Sequence, residues 1–303
     1  DTLVVARKSS PLLIGIGDGE YYVASDMSAL VSVVKNYKVL EDGDVAVLRA
    51  DGLTITDTDG QTIERKTLIS TLSDADITLE GYEHYMLKEI HEQGRAIADT
   101  LDGRIAGDHV LEQAFGLSAK EIFDNTRKVK LIACGTSYHA GMIAKFWFEN
   151  IARMSCSVDI ASEYRYRNML VPDNCLFVTI SQSGETADTL AALRFAKEAG
   201  YVGCMTICNV ANSSIERESD FAIMTQAGRE IGVASTKAFT TQLSILTLLC
   251  IVLARRNGLS EEDEQELVED LHHLPQILQQ TLSLSDQIKR ISLDFADKRH
   301  SLF

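Results

Sequence analysis

Over the first seventy residues the apolar positions come in short bursts. Leu3–Ala6, Leu12–Ile16, Tyr21–Ala24, Val45–Leu48 and Leu53–Thr56 are apolar or β-branched runs, and Asp18-Gly19, Asp42-Gly43, Asp51-Gly52 and Asp59-Gly60 punctuate them as turn pairs. Spacing this tight leaves no room for crossover helices, so the strands are expected to pair antiparallel. A connecting stretch of about Asp74–Gly107 follows, and its Tyr82–Ile97 part reads as a helix.

From Val129 the rhythm changes. Val129–Ala133, Ser157–Ile160, Leu176–Ile180, Gly203–Ile207 and Phe221–Met224 are strand-like, and helical patterns at Tyr138–Ile151, Thr186–Ala199 and Lys237–Arg255 separate several of them. Strand alternating with helix argues a parallel sheet covered on both faces, the doubly wound α/β arrangement. Beyond Gly258 the chain reads as three helices, Ser260–Leu271, Leu274–Leu284 and Ser285–Phe295. The fold class expected is therefore α/β with a doubly wound parallel sheet, preceded by an antiparallel β segment.

Composition narrows the partners. The 303 residues carry 29 Lys and Arg against 44 Asp and Glu, a net charge of −15, which disfavours a nucleic acid. A small anion remains possible, because a helix N-terminus binds one locally against the global charge. The apolar stretch Leu243–Ala254 is short of the roughly 20 residues a bilayer span needs and reads as a buried helix, so no membrane partner is expected. No secretory signal pattern opens the sequence. The six cysteines lie mostly in apolar runs without a CxxC pair, as expected of reduced thiols in the cytoplasm. The sequence starts at Asp1 and stops in an apolar run, Ser301-Leu302-Phe303, so a piece of a longer protein is expected.

Three chemical signals reduce to structure. Gly15-Ile16-Gly17-Asp18-Gly19 is not a dinucleotide loop: Glu20 stands at the third glycine position, and strand-like Tyr21-Tyr22-Val23 follows. A hairpin turn is expected there. Glu83, His84, Glu89, His91 and Glu92 lack HExxH spacing and read as a solvated linker helix, so no metal is expected. Glu261-Glu262-Asp263-Glu264 follows Ser260, a good N-cap with Asp263 at N3, and complements a helix dipole.

Three loops carry more. Cys134-Gly135-Thr136-Ser137 and Ser181-Gln182-Ser183-Gly184-Glu185-Thr186 each follow a strand-like run, and Gly232-Val233-Ala234-Ser235-Thr236-Lys237 opens a helix. Ligands of a doubly wound sheet bind outside the carboxyl ends of its strands. Hydroxyls and exposed helix N–H groups there suit a phosphate dianion. Without a P-loop lysine pattern, a phosphorylated small molecule is favoured over a nucleoside triphosphate. The bland alternative for each loop is an ordinary helix cap.

The same loops, together with Ala161–Arg167, Glu230–Gln242, His84–Gln93 and Gly15–Asp26, resemble the glutamine–fructose-6-phosphate aminotransferase family, the glucosamine-6-phosphate synthases. The resemblance implies that 1–73 is the last part of a glutaminase domain of αββα N-terminal-nucleophile type. It implies that 74–258 holds the linker and first sugar-isomerase (SIS) domain, and that 259–303 leads toward a second. The implied activity converts fructose 6-phosphate and glutamine to glucosamine 6-phosphate and glutamate, without a cofactor, in a cytoplasmic homodimer. Ser137, Ser181, Gln182, Ser183 and Thr186 are implied phosphate ligands, Thr136 and Val233, Ala234 and Ser235 sugar-chain contacts, and Cys134 a pocket wall. The family's cysteine nucleophile and glutamine site fall before Asp1, and its Schiff-base lysine, glutamate and histidine fall after Phe303. This piece is thus expected to bind without turning over. Lys237 does not match the family's Schiff-base position, and a helix-capping or sheet-edge role is expected of it. A phosphosugar-sensing SIS module and a fructosamine-phosphate deglycase are the competing readings. The charge and strand pattern of 1–73 argue against both, because a sensor more often carries a DNA-binding domain and a deglycase needs no glutaminase portion.

Overall fold

The computed structural model describes residues 2–8, 10–70 and 78–300, and the chain divides into two compact units, Asp1–Glu80 and Gly81–Phe303.

The first unit is antiparallel β. Strands β1 (Thr2–Ala6), β2 (Leu13–Ile16), β3 (Tyr21–Ala24), β4 (Asn36–Val39), β5 (Val45–Arg49), β6 (Gly52–Thr56), β7 (Thr62–Ile63) and β8 (Thr67–Ile69) form two four-stranded sheets, ordered β1-β5-β6-β7 and β3-β2-β4-β8. Alternation decides which side chain goes where. Ile14 joins Leu40, Ala46, Leu48 and Ile55 in one core, while its neighbour Leu13 packs with Met27, Leu30 and Val34 in another. The glycine-rich stretch is the β2–β3 hairpin, closed by Gly17 N donating to Glu20 O at 2.9 Å, with Gly19 at φ +73°. Strands β4, β7 and β8 lie outside the apolar runs that the sequence offers.

The second unit is built on a five-stranded parallel sheet. Helix α1 (Tyr85–Leu101) precedes a two-residue hairpin, β9 (Ile105–Ala106) and β10 (His109–Val110), and helix α2 (Ala119–Asn125). The sheet comprises β11 (Lys128–Ala133), β12 (Ser155–Ile160), β13 (Cys175–Ser181), β14 (Gly203–Cys208) and β15 (Phe221–Met224), in the order β12-β11-β13-β14-β15. Between them run α3 (Gly135–Asn150), α4 (Ala161–Tyr164), α5 (Ala187–Ala199) and α6 (Ser214–Glu218), followed by α7 (Lys237–Ala254), α8 (Glu261–Leu282) and α9 (Ser285–Ser292).

Both faces are covered at the centre of this sheet, which is why β11, β13 and β14 read as near-continuous apolar runs, whereas β12 at the edge leaves Ser155, Ser157 and Ile160 exposed. Leu176, Val178 and Ile180 of β13 pack into the core formed with α1, α3, α7 and α8, whereas Phe177 packs with Ala161, Tyr164, Leu190, Leu193 and Ile215 of α4, α5 and α6. By length and composition α7, with the turn after it, could cross a membrane, but it is mostly buried in the first of these cores. Burial pushes the thiols of Cys175, Cys204 and Cys250 up, to about 11, 12 and 12. All six cysteines are free.

Two expectations need correction. The helix pair expected at Ser260–Leu284 is one helix, α8, which runs through Pro275. Proline removes one backbone donor, yet Leu267, Leu271, Leu274 and Leu278 form a stripe on the core that holds the helix together across it. The solvated linker helix is a packed one. In α1, Lys88, Glu89, Ala96, Ile97 and Leu101 are buried, and Gly94 lies so close to α8 that a Cβ there would stand 3.1 Å from the carbonyl oxygen of Pro275.

Candidate functional site

The chain leaves β11 for β12 on one side of the sheet, then crosses to β13 on the other. The order therefore reverses between β11 and β13, and Ala133 is in register with Ile180 there. A reversal of this kind opens a crevice at the carboxyl ends of the two strands, because their helices depart to opposite faces. The loops that enter it are Cys134–Ser137, running into α3, and Ser181–Thr186, running into α5. The structure thus brings together Cys134, Thr136, Ser137, Ser181, Gln182, Ser183 and Thr186.

The local conformations follow from the residue types. Gly135 (φ +57°) and Gly184 (φ +64°) take left-handed backbone that side chains resist. A Cβ on Gly184 would also stand 2.1 Å from Ser213 Oγ and 2.7 Å from Cys208 Sγ. Ser181 is buried; its Oγ accepts from Gly184 N at 3.0 Å and lies 3.3 Å from Thr186 Oγ1. Ser183 Oγ accepts from Glu185 N at 3.2 Å. Ser137 is buried in the first turn of α3, Thr136 is exposed beside it, and Cys134 is half-buried at the N-cap. Burial pushes the Cys208 thiol up, leaving it a neutral group behind the loop, 3.5 Å from Ser213 Oγ.

Both helices open into the crevice without a cap. Thr186 is the N-cap residue of α5 and Cys134 that of α3, and neither side chain makes a capping hydrogen bond. The first intrahelical bond of α5 is donated by Leu190 N and that of α3 by Tyr138 N, at 2.9 and 3.4 Å. The acids nearby are engaged: Asp188 pairs with Arg165 at 2.7 Å, and Glu185 Oε1 accepts from Ser214 N at 2.8 Å. Open N–H groups, the positive end of the dipole and four hydroxyls make a place for a small oxyanion held by neutral donors.

The third loop is built differently. Glu230 accepts from Thr236 N at 2.8 Å, Ala238 N at 3.1 Å, Ser235 Oγ at 3.1 Å and Thr236 Oγ1 at 3.2 Å. A carboxylate of the chain itself therefore occupies the N-terminus of α7. Val233 and Ala234 are exposed at the tip and Ser235 is half-buried. Lys237 neither caps a helix nor lines a sheet edge. It is buried, with Nζ 2.6 Å from Glu92 Oε2 of α1, and Lys88 Nζ lies 3.6 Å from the other oxygen of Glu92.

Three residues to which the sequence reading gives no part in the site organise these loops. Asn209 donates from N to Gln182 O at 3.2 Å and from Nδ2 to Gly228 O at 2.7 Å. Its Oδ1 accepts from Thr225 Oγ1 and Ala227 N, both at 2.8 Å, so this one residue, by its backbone N on one side and its side chain on the other, joins the second loop to the root of the third. Glu89 accepts from Ile231 N and Gly232 N, and Glu230 closes the third loop on itself. The sequence signal for Glu89 was its place one turn before Glu92 on α1, but nothing local identifies a partner 142 positions away. Among the described residues, no group of three or more His, Cys, Asp or Glu is placed to hold a metal ion.

Residues 122–252 match the family model of the SIS domain. Along 99% of its length the chain is 52% identical to a glutamine--fructose-6-phosphate aminotransferase [isomerizing] of Vibrio parahaemolyticus, and it covers 50% of that protein. A Shewanella oneidensis protein of the same name is 51% identical over 100% of the chain, again with 50% of its own length covered. The chain thus spans about half the length of the curated relatives it matches. Among solved structures, the C-terminal domain of glucosamine-fructose-6-phosphate aminotransferase from Francisella tularensis superposes with a TM-score of 0.72 at 50% identity, covering 74% of this chain and 63% of that one. A solved structure from Clostridium difficile, at 19% identity, 70% and 57% coverage and a TM-score of 0.58, shares the fold.

Proposed function

We propose, from the premise that this chain is a SIS-domain relative of the glutamine–fructose-6-phosphate aminotransferases, that its second unit is the sugar-phosphate half-site of such an enzyme. It binds fructose 6-phosphate and the product glucosamine 6-phosphate by the phosphate, in the crevice between β11 and β13. The observation that carries this reading is the pair of uncapped helix N-termini, α3 and α5, opening beside the hydroxyls of Ser137, Ser181, Ser183 and Thr186.

The chemistry of holding follows from that arrangement. A phosphate dianion accepts from the first-turn N–H groups of both helices, and the dipoles place partial positive charge on it. Ser137, Ser181, Ser183 and Thr186 donate hydroxyls, and Gln182, its carbonyl fixed by Asn209, adds an amide. Thr136 and the Val233–Ser235 tip meet the sugar chain, and Cys134 walls the pocket. Neutral donors recognise the dianion without a buried ammonium, so the site keeps its form when empty. Glutamine enters the reaction through a separate glutaminase site, and the paired copy of the chain completes a cytoplasmic homodimer. Lys237, held by Glu92, serves the structure and not the chemistry.

Calorimetric titration with fructose 6-phosphate, fructose and inorganic phosphate tests the reading. Fructose 6-phosphate is expected to bind, inorganic phosphate to bind more weakly and to compete with it, and fructose to give no heat of binding. Equal affinity for fructose and its phosphate would overturn the assignment.

A further inference from the structure

Resting on the sugar-phosphate reading, we propose that Glu89 is a positioning residue for the sugar-chain side of the site. Its buried carboxylate holds the backbone at Ile231 and Gly232, and so sets where Val233–Ser235 present themselves to the ligand. Glu89 is 2% exposed. Its Oε1 accepts from Ile231 N at 2.5 Å and from Gly232 N at 2.9 Å. Its Oε2 is buried too and has no hydrogen-bond partner, and a Cβ on Gly232 would stand 2.5 Å from it. The loop backbone is thus pressed against the carboxylate with no room for a side chain between them.

The neighbouring contacts make this a two-point attachment. Glu89 and Glu92 are three residues apart and share one face of α1. The first holds the entry of the loop by its N–H groups, and the second holds its exit through Lys237. Glu230 closes the loop between these points onto α7. Only the tip, Val233 and Ala234, is left exposed. Desolvating a carboxylate is costly, and a leucine or methionine would fill the same volume without that cost. What the carboxylate alone supplies is an acceptor for two adjacent backbone N–H groups, which is a means of fixing loop geometry.

The phosphate donors lie on other loops, so Glu89 is expected to act on recognition of the sugar and not on that of the phosphate. In the full chain, Glu89→Ala should weaken fructose 6-phosphate roughly tenfold or more, as expected when a buried charged acceptor is lost, with the affinity for inorganic phosphate unchanged. Glu89→Gln keeps a carbonyl oxygen where Oε1 stands and should recover most of the loss. Gly232→Ala keeps the Glu89 carboxylate but sets a methyl group against its Oε2, parting the carboxylate from the loop backbone, so it should show the same selective loss even if Glu89→Ala folds poorly. Unchanged fructose 6-phosphate affinity in Gly232→Ala, or a parallel fall for both ligands, would overturn the proposal. Hydrogen exchange at the Ile231 and Gly232 amides separates this proposal from the reading beneath it. If the parent chain binds neither ligand, the sugar-phosphate reading fails. Amides that are slow in the parent and fast in Glu89→Ala would still support the clamp, and equal rates would refute it.

Discussion

Gly184 carries the conformational demand of the phosphate loop. Its positive φ and its distance from Ser213 and Cys208 leave no place for a methyl group, and both partners are buried, Cys208 at the end of β14 and Ser213 at the N-cap of α6. Gly184→Ala should cost about 1–3 kcal/mol through strain and overpacking, read as a lower melting temperature. An unchanged melting curve would show that the loop relaxes more freely than this packing allows. At this scale the sequence was informative about hydroxyls and glycines, because their conformational and donor properties are local. It was uninformative about Glu89, Glu230 and Asn209. Their roles depend on N–H groups brought to them by the fold, and a carboxylate on an amphipathic helix looks the same in sequence whether it is solvated or buried.

Among the elements, legibility followed hydrophobicity. The three central strands of the parallel sheet, β11, β13 and β14, announced themselves as apolar runs because both their faces are buried, whereas β12 at the edge was legible only by its β-branched and apolar positions. Strand β4, Asn36–Val39, did not, because it alternates polar and apolar residues and is recruited by pairing with β2 and β8. The α8 N-terminus was legible: Ser260 Oγ accepts from Asp263 N at 3.0 Å, as a capping residue should. Its persistence through Pro275 was not, because the stabilising leucine stripe needs the core it packs on. The same helix holds a pH-sensitive tie. Burial alone would raise the Glu264 carboxyl, but bonds from Arg255 and Val110 N hold it below the usual range. A depressed carboxylate contributes stability that is full above the unfolded value and is lost as pH falls through the folded one. Urea midpoints should therefore drop on acidification, and Glu264→Gln, already lacking this charge, should show a shallower acid limb. Parallel limbs for parent and variant would contradict the assignment.

For the whole molecule, the exposed apolar residues point outward from several places. Met142, Ile143 and Phe146 lie together on α3, Ile288 and Ile291 on α9, and Leu3, Val4 and Ile69 on the edge strands β1 and β8. Exposed apolar helix faces and unpaired strand edges favour association. Light scattering at tens of micromolar should accordingly find a dimer or larger species, and a clean monomer would count against the homodimer in the proposed function.

The central claim is that the Ser181–Thr186 loop binds a sugar phosphate and is not merely the start of a helix. Thr186→Ala separates the two most directly, because Thr186 makes no side-chain capping bond. Removing one hydrogen bond to a charged group costs about 1.5–3 kcal/mol. Titration calorimetry on this variant should therefore show fructose 6-phosphate affinity reduced by about ten- to a hundred-fold, with the melting temperature of the free protein little changed. An affinity within twofold of the parent, accompanied by a lowered melting temperature, would mean that Thr186 only supports α5 and that the phosphate site lies elsewhere.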